Sequence, residues 1–446
     1  MIWSIILGWL LALGAVAWGQ EPVVPVGSVV TLEQAITLAL HNNRQVKNAA
    51  LEVDKAADRV AQARTRRLPA LEVQVLESYL LTPIDFTFKQ GTFGTFPGTG
   101  PIPAKDTTIR TERKPTTIVA ARITQPLSQL YRIGLSVGLQ EAGGEMAQAQ
   151  LRQQRQAVVH DVKQAYYGIL QTLSGLDAIE ESLKSYRELD RLVANYVVQQ
   201  KALKADHLDV QTRLAKADYD ALTLRHALAT QQEQLNFLLG LDIQTTFQVS
   251  PVSETIVYAE DAEAASRRAV TQRPELQQAQ LKVKQAEYDR RMKQAEYIPD
   301  VSLAFSYLSP FNVEFVPHNI ASVGVLLSWE LFDWGRKHRE IAEKRKTERQ
   351  ALNTVSDTAI NVQLEVRSKL RTLQEKAALL RVEQLAQETT IEKLRVMMQK
   401  YTQQAALLQD VLQAQADLAR ANTEYRQGLA AFWTARADFE KALGED

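Results

Sequence analysis

The sequence predicts a mainly α-helical chain that carries two β-hairpins of bilayer-crossing length and is built as a two-fold internal repeat. Three observations lead there: one half of the chain maps onto the other, the apolar period switches from 3.6 to 2 within each half, and a long run without Pro follows in each, free of Gly as well in the second.

The repeat is read by sliding the 446-residue sequence along itself. A shift of 230 lays Ala35, Ala39, Ala49, Leu51, Val53, Ala56 and Pro69 onto Ala265, Ala269, Ala279, Leu281, Val283, Ala286 and Pro299. Further along, a shift of 204 lays Leu127 and Arg132 onto Leu331 and Arg336, and Gln199-Gln200 onto Gln403-Gln404. The same shift closes with Leu239-Gly240 on Leu443-Gly444. The two shifts differ by 26 residues, and that surplus falls in the Gly/Pro-rich stretch 90–114 of the first half. The organisation is therefore a first repeat over 20–240, a linker over 241–260 and a second repeat over 261–446.

Each repeat reads in the same order. The first opens with a helix over 31–67, where Thr31 and Gln34 fit a capping box. The second opens with a helix over 261–297, in which Pro274 suits a first helical turn. Pro69 and Pro299 end these helices and open strands over 69–88 and 299–309. Leu71, Val73 and Val75, then Val301, Leu303, Phe305 and Tyr307, alternate with mostly polar or small neighbours. Return strands over 115–128 and 319–332 alternate likewise, and Gly, Pro, Ser and Asn mark the hairpin tips. Long helices follow over 134–200 and 335–401. Without Gly or Pro the second could run about 66 residues and ~100 Å, which points to coiled-coil or barrel packing. Shorter helices over 206–240 and 407–443 complete the repeats, ending at Gly240 and Gly444.

Composition narrows the function. Fifty-two basic and 52 acidic side chains cancel, and no block of like charge marks a nucleic-acid surface. The chain has no Cys, which excludes disulfides, a thiolate metal site, a cysteine nucleophile and a lipid-anchored cysteine. Residues 1–19 read as a signal peptide: 5–16 form an apolar core of suitable length, and Ala15-Val16-Ala17 or Ala17-Trp18-Gly19 offers small residues for cleavage. The segment departs from a signal peptide in lacking a basic start, but it falls short of the ~20 residues of a spanning helix and the polar, Pro-rich stretch after it is no stop-transfer flank, so export is the better reading than an uncleaved anchor helix. No later segment could span as a helix, so any membrane crossing must be made of strands.

The hairpins supply four strands per chain, and their open edges would leave backbone groups unpaired in lipid. Two chains would give eight strands and a barrel filled by its own side chains. Three give twelve and leave room for water. Trp329 and Trp334, with Phe332, flank the end of the fourth strand and suit an interfacial girdle.

These features, in order and doubled, resemble the TolC-like outer-membrane efflux protein family over about 31–444. The residues that carry the resemblance are Arg273-Pro274-Glu275-Leu276, the prolines 69 and 299, and Leu331-Phe332-Asp333-Trp334-Gly335-Arg336. Tyr401, followed by Asp410-Val411-Leu412-Gln413-Ala414-Gln415, and the terminal Leu443-Gly444 complete them. The resemblance implies a homotrimer with a twelve-stranded β-barrel in the outer membrane of a Gram-negative-type bacterium, continuous with a twelve-helix α-barrel in the periplasm. It implies a passive exit duct for tripartite efflux or type I secretion, docked to a periplasmic adaptor (membrane fusion) protein and an inner-membrane transporter. Family members usually carry Gly in each helix–helix turn, where this chain has Gln200 and Gln404. An Arg and an Asp that help close the aperture in well-known members fall here on Ala406 and Gln413, while Tyr401 and Asp410 remain. The expected aperture is therefore Tyr401, Gln404, Asp410 and Gln413, with Asp410 alternatively an ordinary helix-cap aspartate. The expected adaptor-docking tip is Gln200, Lys201, Ala202, Leu203, Ala405, Ala406 and Leu407.

Nothing in the sequence asks for a cofactor or an active site. His41, His160, His207, His226, His318 and His338 make no zinc-ligand spacing, and no phosphate-cradling loop or nucleophile elbow is present. A periplasmic coiled-coil scaffold with soluble hairpins is the alternative reading. Thermally resistant trimers extracted only by detergent would distinguish the channel from it.

Overall fold

The structure, a computed structural model, describes residues 29–83, 85–110, 113–252, 261–313, 316–403 and 405–445. The expected signal segment and Gln404 lie outside the described residues. In the first half, β1 (Val29–Val30), α1 (Leu32–Asn42) and α2 (Arg44–Thr65) precede β2 (Ala70–Tyr79) and β3 (Asp85–Phe88). Then come β4 (Thr95–Phe96), β5 (Gly100–Pro101), β6 (Thr107–Arg110), β7 (Pro115–Pro126), α3 (Leu130–Val198) and α4 (Lys204–Leu239). After β8 (Gln248–Val249), the second half contains α5 (Ala262–Gln272), α6 (Pro274–Ala295), β9 (Asp300–Phe311), β10 (Ile320–Ser328), α7 (Arg336–Thr402) and α8 (Leu408–Leu443).

The chain divides into two compact units, and α2, α3, α6 and α7 contribute residues to both, α6 giving only Pro274 to the helical one. One unit, 51–149 with 275–358, holds an antiparallel four-stranded sheet in the order β10-β9-β7-β2. Below the strands its helices are cross-linked by ion pairs, among them Lys284–Glu145 at 3.1 Å and Arg290–Glu348 at 2.8 Å. Gly138 on α3 lies so close to the Tyr288 ring on α6 that a Cβ there would fall 2.7 Å from it. The other unit is helical and has two apolar clusters. One gathers Tyr166, Ile169, Leu235, Leu239, Leu373, Phe432 and Leu443 beside the short parallel pair β1–β8. The Tyr166 hydroxyl lies 3.0 Å from the Val30 carbonyl and 2.7 Å from that of Ser250, fastening both extended segments to α3.

Four expected elements come out differently, each for a local reason. The helix expected over 31–67 is two helices broken at Asn43, whose ψ of 127° leaves the helical region. Its side-chain Oδ1 accepts from Gln45 N at 2.8 Å and so starts α2. The helix expected over 261–297 breaks at Arg273, because the residue before Pro274 is pushed to extended geometry. The strand expected over 69–88 stops at Tyr79 and resumes as β3 after Pro83, which has no N–H for a ladder. β3 pairs with β6 in a separate ribbon, and β4 and β5 make a small pair inside the 26-residue surplus.

The strand expected over 319–332 ends at Ser328, so Trp329 and Phe332 lie beyond it. Ser328 pairs with Asp300, where β9 begins directly after Pro299, and the partner ladder simply runs out. Trp334 (φ 56°) and Gly335 (φ 81°) then turn the backbone, and Asp333 accepts from Gly335 N and Lys337 N at 3.0 and 2.9 Å to start α7.

Candidate functional site: sheet faces and helical tip

Register assigns every strand residue to a face, because side chains alternate with period 2. Leu71 pairs with Ile123, Ile123 with Phe305, and Phe305 with Val323, so one row of four apolar residues crosses the sheet. Val73, Ala121, Tyr307 and Ala321 form the adjacent row on that face. On the opposite face, Glu72, Arg122, Ser306 and Ser322 form one row, and the small residues Ala70, Thr124, Ala304 and Gly324 form the next. Among the described residues the middle of the apolar face lies open: Val323 is 72% exposed. Both outer strands, β2 and β10, have a partner on one side only. No helix among the described residues is long and apolar enough to cross a membrane.

The aromatics expected at a membrane interface sit immediately past this sheet. Phe332 and Trp334 meet edge to face with ring centroids 4.8 Å apart, and Trp334 is 89% exposed. Trp329 is exposed as well, one residue beyond the end of β10. A bulky residue at positive φ is strained, so the turn presents Trp334 outward at an energetic cost.

At the helical tip the repeat is geometrical as well as sequential. Gln200 has a left-handed φ of 56°, Gln200 N donates to Val197 O at 3.0 Å, and Lys201 N donates to Tyr196 O at 2.8 Å. These are the two hydrogen bonds of a Schellman turn, with Gln where Gly is the unstrained choice. In the second half Ala405 N donates to Lys400 O at 2.8 Å. Asp206 accepts from Leu203 N at 2.9 Å, and Asp410 accepts from Leu407 N at 3.0 Å. Asp410 thus serves as a helix-start aspartate, and its carboxylate stays exposed. Leu203 and Leu407, which lack any capping group, are 71% and 69% exposed. Ala202 is half-buried beside them, and Lys201, Ala405 and Ala406 complete the two turns.

The expected aperture residues occupy distinct settings within one chain. Tyr401 is buried with Leu189, Val193, Val210, Val411 and Leu412, its ring 6.1 Å from that of Tyr196. Burial pushes its hydroxyl above the ordinary tyrosine range, and Tyr196 and the Asp206 carboxylate add to that. Gln413 lies one turn into α8 and donates to Asp417 at 2.8 Å.

Titratable groups elsewhere form structural pairs. His207 bonds Asp190 at 3.0 Å. Asp438 bonds His160 and Lys369, each at 2.6 Å. Burial raises the Asp438 carboxyl, but those two hydrogen bonds outweigh it and hold the group below the usual carboxylate range. No group of three or more metal-ligating side chains occurs among the described residues. Sequence reasoning did not read Asn43 or Arg273, the latter named only as part of a motif, as a helix break, and did not single out the Glu72–Arg122 row. The first two could have been found from the 230-residue shift, which lays Asn43 on Arg273.

The outer membrane efflux protein family model matches residues 35–241 and 265–445, one segment in each repeat. No curated protein sequence matches the chain. Among solved structures, the chain is similar to the Campylobacter jejuni CmeC outer membrane channel at 15% identity and a TM-score of 0.76, covering 93% of this chain and 85% of that one. It is similar to CusC, described with transmembrane channel formation, at 17% identity and a TM-score of 0.77, covering 93% and 92%. The Neisseria gonorrhoeae MtrE outer membrane channel matches at 15% identity and a TM-score of 0.72, covering 95% and 93%. At these identities the structures establish the shared fold, while the family match covers most of the chain. The chain therefore belongs to the outer membrane efflux protein family, whose members are outer-membrane channels rather than enzymes.

Proposed function

We propose that three copies of this chain close into a twelve-stranded β-barrel, β10 of each pairing with β2 of the next, in the outer membrane of a Gram-negative-type bacterium. The observation that carries the proposal is a four-stranded sheet with one exposed apolar face and two half-paired outer strands. Unpaired backbone is costly in hydrocarbon, so such a sheet crosses lipid only when its edges are closed. Eight strands would enclose only their own side chains, and twelve leave a water-filled passage. Trp329, Phe332 and Trp334 then anchor the sheet at a membrane interface.

In this reading the helices form a periplasmic tube, and the assembly is the passive exit duct of a tripartite efflux or type I secretion system. The tip residues Gln200, Lys201, Ala202, Leu203, Ala405, Ala406 and Leu407 receive a periplasmic adaptor that links to an inner-membrane transporter. The exposure of Leu203 and Leu407 supports an apolar docking surface there. Tyr401, Gln404, Asp410 and Gln413 border the resting aperture, with the exposed Asp410 carboxylates favouring cations.

Membrane extraction tests the reading. The protein is expected to leave the membrane only in detergent and to run as a trimer that resists heating in mild SDS. A soluble monomer would instead indicate a periplasmic scaffold. For the aperture, Asp410→Ala is expected to lower cation selectivity in single-channel recordings, and unchanged selectivity would remove Asp410 from that role.

A further inference from the structure

We propose that Glu72 and Arg122 form a charge-balanced belt on the water-facing side of the sheet, where solute in transit meets fixed charge within the barrel. The inference rests on the trimeric-barrel reading, which makes the polar face the lumen.

The belt follows from register. Glu72 pairs directly with Arg122, Arg122 with Ser306, and Ser306 with Ser322, so one row spans all four strands. The rows before and after it in sequence, on the other face, are apolar or aromatic throughout. On the polar face the strands carry one other charged residue, Asp300, and that carboxylate is already held by Arg132 at 3.1 Å. Glu72 and Arg122 are therefore the charges the face presents.

They are also presented separately. Glu72 Oε1 accepts from Gln74 Nε2 at 2.7 Å instead of from Arg122, and Arg122 has no ion pair among the described residues. Both side chains are exposed. The small row of Ala70, Thr124, Ala304 and Gly324 on one side leaves space for passing solute. Three chains would place three carboxylates and three guanidiniums in one ring of zero net charge. Such a ring admits solutes of either sign, and removal of one partner makes it selective. Within roughly 8 Å of the wall these charges act on a passing ion with little screening at physiological salt.

The test uses the absence of Cys, which makes an introduced thiol unique. In the detergent-extracted trimer, Ser306→Cys is treated with an anionic and a cationic water-soluble methanethiosulfonate. Ser306 adjoins Arg122 directly, so the anionic reagent is expected to react faster. Adding Arg122→Ala is expected to lower the anionic-to-cationic rate ratio about tenfold, because one charge ~6 Å away in water changes each rate about threefold and in opposite senses. Adding Glu72→Gln should raise it. Val323→Cys, on the opposite face, serves as the lipid-side control and should react slowly with both reagents. A reactive Ser306→Cys whose ratio ignores both substitutions overturns the belt while leaving the barrel intact. An intact trimer whose Ser306→Cys is unreactive while Val323→Cys reacts overturns the assignment of faces, and the barrel reading with it.

Discussion

Asn43 Nδ2 donates a 2.9 Å hydrogen bond to the Leu238 carbonyl, and Arg273, its counterpart in the second repeat, donates at 3.2 Å to the carbonyl of Ala442, the counterpart of Leu238. Different side chains make the same bond at the same place: the break between two short helices reaches back to the last turn of the helix that ends its repeat. In the first repeat Gly240 ends that turn at φ 70°, and in the second Gly444 ends it at φ 82°. The duplication has thus preserved a junction while exchanging an amide for a guanidinium. Arg273 also bonds Glu365 at 2.8 Å, a contact that an amide could not reach.

The two glycines are not equally replaceable. A Cβ on Gly240 would fall 2.7 Å from the Asn42 carbonyl oxygen, which is backbone and cannot swing away. On Gly444 the nearest atoms, in Gln272 and Arg273, lie at 3.2 Å. Both substitutions incur the left-handed penalty of about 1 kcal/mol, and Gly240→Ala adds the larger steric cost, a further ~1–3 kcal/mol. Chemical denaturation is expected to rank wild type above Gly444→Ala, with Gly240→Ala lowest.

Gln200→Gly is expected to stabilise the tip. The Schellman turn already exists with Gln at φ 56°, and Gly relieves a strain of about 1 kcal/mol. Hydrogen exchange should report slower opening at Gln200 and Lys201, whose amides make the two turn bonds. Faster exchange there would show that the Gln side chain contributes more than the conformation costs.

Glu383 gives the helical unit a pH dependence of known sign. Burial raises its carboxyl above the ordinary value, the Glu424 carboxylate adds to the rise, and Lys376 opposes it. One carboxylate oxygen, Oε2, is buried without a hydrogen-bond partner. The folded state therefore binds the proton more tightly than the unfolded chain, so the ionised form weakens the fold above the raised value. The penalty disappears once the pH drops below the unfolded carboxylate value of about 4.3. Glu383→Gln should raise the melting midpoint at pH 7 by the few degrees that ~1 kcal/mol provides, with no gain at pH 4. An equal gain at both pH values would assign the effect to packing.

Much of this architecture was legible because it is written in long periodic signals. The hairpins were readable from alternation at Val73, Val75, Val323 and Val325, whereas the β7–β9 pairing that joins them was not. The breaks at Asn43 and Arg273 were harder. Apolar positions continue through both with helical spacing, and the decisive interactions come from carbonyls about 170–195 residues away in sequence. The end of β10 was misplaced because Leu331 and Phe332 continue an apolar pattern after the partner strand has begun at Asp300. At the tip, Asp410 was readable either as a lumen charge or as a helix-start group. Its bond to Leu407 N supplies the second role in one chain, and the first depends on how three chains meet.

Covalent capture across the open sheet edges tests the central claim most directly. In the Cys-free chain, Val73→Cys on β2 is combined in turn with Val323→Cys, Val325→Cys and Leu327→Cys on β10, all on the apolar face. Paired strands bring facing positions to ~4.5–5.5 Å, within disulfide range. On mild oxidation in the membrane, the in-register pair is expected to link neighbouring chains into dimers and trimers, with no larger species. Monomers from all three pairs, or a ladder continuing beyond three chains, would contradict a barrel closed by three copies.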